Sequence, residues 1–340
     1  MSSEHAAYHT LASVLYGDYH KLAKLYEQHG TWQGTLAALR PERSAGGDAQ
    51  PLGPDVRLIL RADEDFPAAL REIPYPPHGI YVRGKLSTPA QISVAIVGTR
   101  KATEEGKRAA ERFATALGGA SVSVVSGLAF GIDAAAHRGA LMGGGHTVAV
   151  LGTSVDVISP RSNDELGREI LRHNGAIISE RPPGVSTVPH HFLQRNRIVS
   201  GLAQGIIVIE APERSGSLAT ARFALEQNRQ VFVLPGPATH PNFTGSHALI
   251  RAGAELVTEP TQVLEALGIA AHATSLNEKV YTEEERLIRE AFREVQGPLA
   301  IDTIIEYTKL NAQTVNRTLS FLVIQGTVAE SGEGYMMNRP

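Results

Sequence analysis

The sequence predicts an α/β fold, with a parallel β-sheet core covered by helices on both faces, a small N-terminal helical domain and a C-terminal winged-helix domain. Two observations carry the core. From Ile92 onward, short β-branched runs alternate with stretches of helical period, and continuous apolar strands joined by helices imply a parallel sheet buried on both sides. Nearly every run also ends at a special residue, namely Gly98, Gly127, Gly152, Glu180, Glu210 or Gly236. These fall on the carboxyl edge, where such sheets bind ligands. Helical periodicity at both ends of the chain supplies the flanking domains.

Between Tyr8 and Arg40, Leu11, Val14, Leu15, Leu22, Leu25, Tyr26, Leu36 and Leu39 recur at helical spacing, interrupted by Gly17, Gly30 and Gly34. Residues 1–45 therefore read as a bundle of short helices, and 46–56, in a stretch rich in proline and glycine, as a linker. The core domain is expected over 57–268. Its strands are expected at Ile92–Val97, Val122–Val125, Thr147–Leu151, Ala176–Ile178, Ile206–Ile209 and Val231–Leu234, with helices such as Glu104–Leu117, Asp133–Met142 and Asn163–Arg172 between them. A second linker, 269–282, precedes a domain at 283–340. There Glu283–Val295, Ile301–Thr308 and Ala312–Gln325 read as helices and Val328–Met336 as a hairpin, with Asn311 or Thr314 capping the third helix.

The 340 residues are 42% hydrophobic, enough for about two or three domains with buried cores. The absence of cysteine excludes a disulfide scaffold, a thiolate metal site and a cysteine nucleophile. No apolar run approaches the ~20 residues that a bilayer needs, and no basic segment followed by an apolar one opens the chain, so a cytoplasmic location is expected. The 32 Lys and Arg against 35 Asp and Glu give a formal charge of -3, which excludes only a uniformly cationic protein. Arg181–Arg251 holds seven arginines and no lysine against three glutamates, and reads as an arginine-only groove.

Gly98, Thr99, Arg100 and Lys101 follow the first of these strands and open a helix. Free N–H groups, a hydroxyl and a guanidinium converging at a helix start suit a phosphate; the dinucleotide fingerprint and the Walker loop are both absent. Gly127 lies in the turn Ser126–Gly131, before Asp133 and His137, one helical turn apart. With no nucleophile beside them, that pair reads as a structural hydrogen bond. Phe192, Arg195, Asn196 and Arg197 open another helix, combining an aromatic platform for a base with cations for its phosphates. His190 and His191 make a weak metal pair, since adjacent side chains diverge and no third ligand is spaced to join them. Ser215, Gly216 and Ser217, then Gly245 and Ser246, open two further helices as phosphate-sized sets of donors. Plain helix capping and solvated arginines are the competing explanation for each motif singly. Together the motifs suggest a run of phosphates, with no catalytic residue, metal or cofactor.

In this order and spacing, VGTR at 97–100, SGLAFGIDAAAH at 126–137, RNRIVSGL at 195–202, SGSLATA at 215–221, LPG at 234–236 and GSHALIRAGA at 245–254 resemble the DNA-processing protein A family, DprA/Smf. The likeness covers about residues 57–267. It implies an extended Rossmann-like domain that binds and protects single-stranded DNA as a homodimer and loads the RecA recombinase in natural transformation, without enzymatic activity. Recombinational repair would need the same chemistry. The resemblance also implies that Gly98, Thr99 and Arg100 meet DNA phosphate, that Phe192, Arg195 and Arg197 belong to a second basic stretch, and that the end domains are appended modules, the first SAM-like. The chain departs from the family at Leu193, where proline is frequent, at Ser154 and Ser159, and at His247, where asparagine is common.

The rival reading is a nucleotide-processing enzyme of the phosphoribohydrolase kind, which places its ligand at the same sheet edge. Such enzymes resemble a PGGxGTxxE pattern, whereas APERSGSLATA here lacks the paired glycines and the acid. A duplex-reading role for the winged helix is disfavoured, because its third helix carries only Arg317, with Lys309 before it.

Overall fold

The computed structural model of the chain describes residues 2–39, 49–86, 91–269, 283–294, 298–324, 327–331 and 334–337. It comprises two compact units, Met1–His272 and Ala273–Pro340. Of the first expected linker, 46–56, residues 49–55 are irregular and Val56 already belongs to a strand; the second, 269–282, lies outside the described residues except for Ile269.

Three helices open the first unit: α1 (Ser3–Val14), α2 (Tyr19–His29) and α3 (Trp32–Leu39). The first starts earlier than the apolar spacing predicts because Ser2 caps it, its side chain accepting from the His5 N–H at 3.3 Å. Gly34 lies inside α3 and does not break it. The Glu4 carboxylate accepts from the N–H groups of Trp32 and Gln33 at 2.9 and 3.0 Å, fixing that helix's first turn.

The core follows as β1 (Val56–Leu60), α4 (Ala68–Arg71), β2 (Gly79–Gly84), β3 (Ser93–Val97), α5 (Glu104–Gly119), β4 (Ser123–Ser126), α6 (Ile132–Met142), β5 (Thr147–Leu151), α7 (Asp164–Arg172), β6 (Ala176–Ser179), α8 (Pro189–Gly201), β7 (Gly205–Val208), α9 (Gly216–Glu226), β8 (Gln230–Val233), α10 (Thr244–Arg251), β9 (Glu255–Leu256) and α11 (Pro260–Ala266). The strands form one sheet in the order β1-β2-β6-β5-β4-β3-β7-β8-β9. From β6 to β9 every neighbouring pair is parallel, but β2 runs antiparallel to both β1 and β6. The sheet is therefore mixed. Arg57 and Arg83 interrupt the apolar runs of β1 and β2, which hides both strands from a search for continuous apolar segments.

Alternate residues of each strand serve opposite layers. Ala95, Val97, Val125 and Ile178 pack under α4, α8 and α9, through Leu70, Ile198, Val199 and Ala221. Val94, Ile96 and Val124 face Phe113 and Leu117 of α5, Ile132 of α6 and Val263 of α11. Nearer β2, Tyr81, Ala149 and Ile177 are covered by Ile170 of α7 and by Tyr8, Leu11 and Trp32 of the N-terminal helices.

The second unit contains α12 (Glu283–Glu294), α13 (Ile301–Thr308), α14 (Ala312–Ile324) and the antiparallel pair β10 (Val328–Ser331) and β11 (Gly334–Met337). Ile288, Ile304, Val315, Leu319 and Leu322 form its own core. The α14 cap is Asn311, whose Oδ1 accepts from the Thr314 N–H at 2.8 Å. No described helix is long and apolar enough to cross a membrane.

The strand order positions the site. From β3 the chain steps outward through β4, β5 and β6, then returns to β7 on the other side of β3 and continues through β8 and β9. With α5 on one face and α9 on the other, the loops after β3 and β7 part and leave a crevice at the carboxyl edge.

Candidate functional site

A cavity of about 360 Å³ occupies this crevice. It is walled by Val97–Arg100 after β3, by Gly127, Ala129 and Asp133 around the turn into α6, by one face of α8, and by Pro212 and Arg214–Ser217 leading into α9. Of the residues expected from sequence, Gly98, Thr99, Arg100, Gly127, Phe192, Arg195, Asn196, Ser215, Gly216 and Ser217 line it together.

The turn after β3 is held from below. The Thr99 N–H donates to the Glu210 carbonyl at 2.7 Å, and the Thr99 hydroxyl accepts from the Lys101 N–H at 3.2 Å. The fully buried Glu210 side chain accepts from the Thr103 N–H at 3.1 Å, from the Thr103 hydroxyl, and from the Asn242 amide at 2.7 Å. That carboxylate ties the two parting loops together. In the sequence it stands out only as the residue that ends a strand.

Arg100 is exposed, with its guanidinium carbon 5.6 Å from the centroid of the Phe192 ring, in cation–π reach. Phe192 seats against Gly152, where a Cβ would come to 2.7 Å from the ring. Arg195 is different in kind. It is 6% exposed and donates to the carbonyls of Gly127 (2.8 Å) and Val150, and through Nε to Asn196 Oδ1 at 3.2 Å. A side chain at Gly127 would overlap that guanidinium, so the glycine makes room for the arginine. Burial pulls the Arg195 pKa down to about 10, against the favourable charge of Asp133. The same burial raises the Asp133 carboxyl, which Arg195 partly offsets and which accepts weakly from the Ala129 N–H at 3.4 Å.

At the α9 start, Ser215 caps the helix by accepting from the Ser217 N–H at 3.2 Å, and the two hydroxyl oxygens lie 2.6 Å apart. The Asn196 amide donates to the Gly216 carbonyl at 3.1 Å, joining α8 to α9.

Four expected residues lie outside the cavity. Arg197 is buried behind α8, donating to both Glu180 oxygens at 2.7 and 2.9 Å, and so is not free for a phosphate. Gly245 and Ser246 brace the loop after β7 from behind: their N–H groups donate to the Ala211 carbonyl at 2.9 and 3.2 Å, and the Ser246 hydroxyl accepts from the Ala211 N–H at 3.1 Å. Lys101 is exposed beyond the lining residues. The arginine-only groove does not form either, because Arg181 and Arg229 are also committed to internal carbonyls. Arg195 and Arg214 are the members of that group of seven that line the cavity. Arg214, exposed at the loop into α9, stands in the sequence within APERSGSLATA and in the arginine count but is not singled out there as a binding residue.

Asp133 and His137 do not pair, since the His137 Nδ1 meets the Thr147 hydroxyl at 2.8 Å. The rings of His190 and His191 converge, edge to face at 4.5 Å, against the expected divergence. Among the described residues no group of three or more His, Asp or Glu is placed to hold a metal. His247 hydrogen-bonds the Gly236 carbonyl at 3.1 Å and stacks on Phe243.

A family model described as DNA recombination-mediator protein A matches residues 57–268. The chain belongs to this family, DprA/Smf. Among its DprA/Smf relatives, Protein Smf of Escherichia coli is 36% identical over 84% of this chain and 78% of its own length. DNA processing protein DprA of Streptococcus pneumoniae is 41% identical over 59% and 71%. The solved structure of Streptococcus pneumoniae DprA matches with a TM-score of 0.59 at 36% identity, over 69% of this chain and 80% of its own. DNA processing protein A from Helicobacter pylori, described for its single-stranded DNA binding mode, matches with a TM-score of 0.56 at 28% identity, over 62% and 95%. The DprA/Smf match bears out the Rossmann-like α/β core. It contains every cavity-lining residue and leaves out α1–α3 and the second unit.

Proposed function

We propose that this DprA/Smf member binds single-stranded DNA in the cavity at the sheet's switch point, without catalysing a reaction, and passes the strand to a RecA-type recombinase. The observation that carries the reading is the Arg100 guanidinium over the Phe192 ring on the cavity wall, beside the loop after β3 and the helix start of α9. A cation for phosphate and an aromatic face for a base are the paired requirements of single-strand binding. Family membership supports it, together with the binding mode named for the Helicobacter pylori relative. The non-enzymatic reading rests on how the ionisable groups are used: Arg195 holds backbone carbonyls, Asp133 accepts from a turn, and His137 faces Thr147.

Protection of incoming strands in natural transformation, or in recombinational repair, is the setting proposed for it; the family description, DNA recombination-mediator protein A, supports a role in recombination. Homodimeric assembly, a cytoplasmic location, a SAM-like first domain and a winged helix in the second unit belong to the same proposal. Titrating oligo-dT and a duplex of equal length at two salt concentrations tests it. Single strands should bind more tightly, and Phe192→Ala should cost about 1–3 kcal/mol with the salt slope unchanged. Equal or tighter binding of the duplex would sink the reading, and turnover of a nucleoside monophosphate would establish the enzymatic rival.

A further inference from the structure

Helix α8 has two working faces. Pro189, Phe192, Asn196 and Val199 recur on the cavity side at spacings of three and four. Gln194 and Arg197 leave from the other side and meet Arg181 and Glu180, just past the carboxyl end of β6. Arg181 is 5% exposed. One terminal nitrogen donates to Gln194 Oε1 at 2.6 Å; the other donates to the carbonyls of Tyr16 and Gly17 at 2.9 and 2.7 Å. Its backbone N–H is pinned by the Ser179 hydroxyl at 2.9 Å.

Tyr16 and Gly17 are the elbow between α1 and α2, and both have positive φ, 53° and 64°. That turn aims two successive carbonyls at one guanidinium, and a Cβ on Gly17 would come to 2.9 Å from it. Arg197 makes a parallel tie, with its guanidinium carbon 5.3 Å from the ring centroid of Tyr19, the first residue of α2. Between Arg181, Gln194 and Arg195 the remaining void is about 10 Å³, at the lower limit for one water. The contact is therefore packed as well as hydrogen-bonded. Arg181 itself does not line the ligand cavity.

We propose that Arg181 is a positioning residue for the nucleic-acid cavity, clamping the α1–α2 elbow to the back of α8 and so fixing the rotation of the helix that presents Phe192 and Asn196. The inference rests on the single-strand reading of the cavity. It adds a role for the N-terminal helices, which lie outside the segment matched by the family model. The clamp passes around the carboxyl edge of the sheet, from helices on one face to the helix on the other.

A double-mutant cycle on the full chain tests it, with oligo-dT affinity read by fluorescence anisotropy. Arg181→Gln should weaken binding about three- to tenfold. The loss should shrink when Phe192→Ala, on α8, is already present, and persist in full on an Arg214→Ala background, on the loop into α9. The salt slope should hold, whereas loss of a direct phosphate contact would lower it by about 0.7. If Arg181→Gln does not fold, Gln194→Ala cuts the same tie from the α8 side and should give the same pattern. Unchanged affinity in either folded variant overturns the clamp, as does full additivity with Phe192→Ala. Failure of the unaltered chain to bind oligo-dT would remove the single-strand reading and the clamp together, so the two failures are told apart by which protein shows them.

Discussion

Arg100 and Arg195 stand on the same cavity wall in opposite states. Arg100 is exposed and makes no side-chain hydrogen bond or ion pair among the described residues, resting instead over the Phe192 ring, while Arg195 is buried and gives its hydrogens to Gly127 and Val150. Their alanine variants should therefore differ in kind. Arg100→Ala should leave the melting temperature in place, as exposed substitutions usually do, and lower the oligo-dT salt slope by about 0.7. Arg195→Ala strips two buried carbonyls of their donor, a loss of about 1–3 kcal/mol that urea unfolding would register alongside weaker binding. Equal stability of the two variants would contradict this division. Both arginines were legible in the sequence as members of glycine- and arginine-bearing helix starts. Their difference was not, because burial of Arg195 depends on strands β4 and β5, which the chain reaches far from residue 195.

At the scale of the element, α6 carries a titration that the i,i+4 spacing of Asp133 and His137 conceals. The helix is buried nearly all round, through Ala134, Ala135, Ala136, Gly139 and Ala140, so its residues on one stripe meet different neighbours. The Thr147 hydroxyl donates to the Val124 carbonyl at 2.7 Å and so accepts from His137, placing the ring hydrogen on Nδ1. The His137 Nε2 is buried with no hydrogen-bond partner among the described residues. Burial pulls the His137 pKa down to about 3 from an ordinary 6.5. Below pH 6.5 the unfolded chain takes up the proton that the folded chain refuses, so stability falls as pH drops through the window from 6.5 toward 3. In His137→Leu this contribution is gone. Its melting temperature relative to the wild type should rise steadily between pH 7 and pH 5; a difference independent of pH would refute the neutral buried ring.

The same scale explains what the sequence hid of the fold. Six parallel strands were legible because each is a short apolar run between helices. β1 and β2 were not, since arginines on their partly exposed positions break the run, and β9 has only two residues.

Over the whole molecule, the N-terminal helices complete the core of the first unit. Tyr8, Leu11 and Trp32 share one apolar cluster with Leu58, Tyr81 and Ile177 of the sheet. A chain beginning at residue 49 should therefore expose that face and elute as aggregate in size-exclusion chromatography. A chain ending at residue 269 keeps the cavity and all its supports, and its oligo-dT titration should overlay that of the full chain. Monomeric, soluble behaviour of the first truncation would show that the helices are dispensable cover.

The cavity's position at the sheet edge carries one more consequence. Arg100, Leu193, Arg214 and Gly216 line it while remaining exposed to solvent, so its long side is a trough and not a tunnel. A polymer can be laid into a trough from above at any point along its length, without a free 5′ or 3′ terminus. Covalently closed circular single strands should then compete with linear ones nucleotide for nucleotide, and a gap at the middle of a long duplex should serve as well as a frayed end.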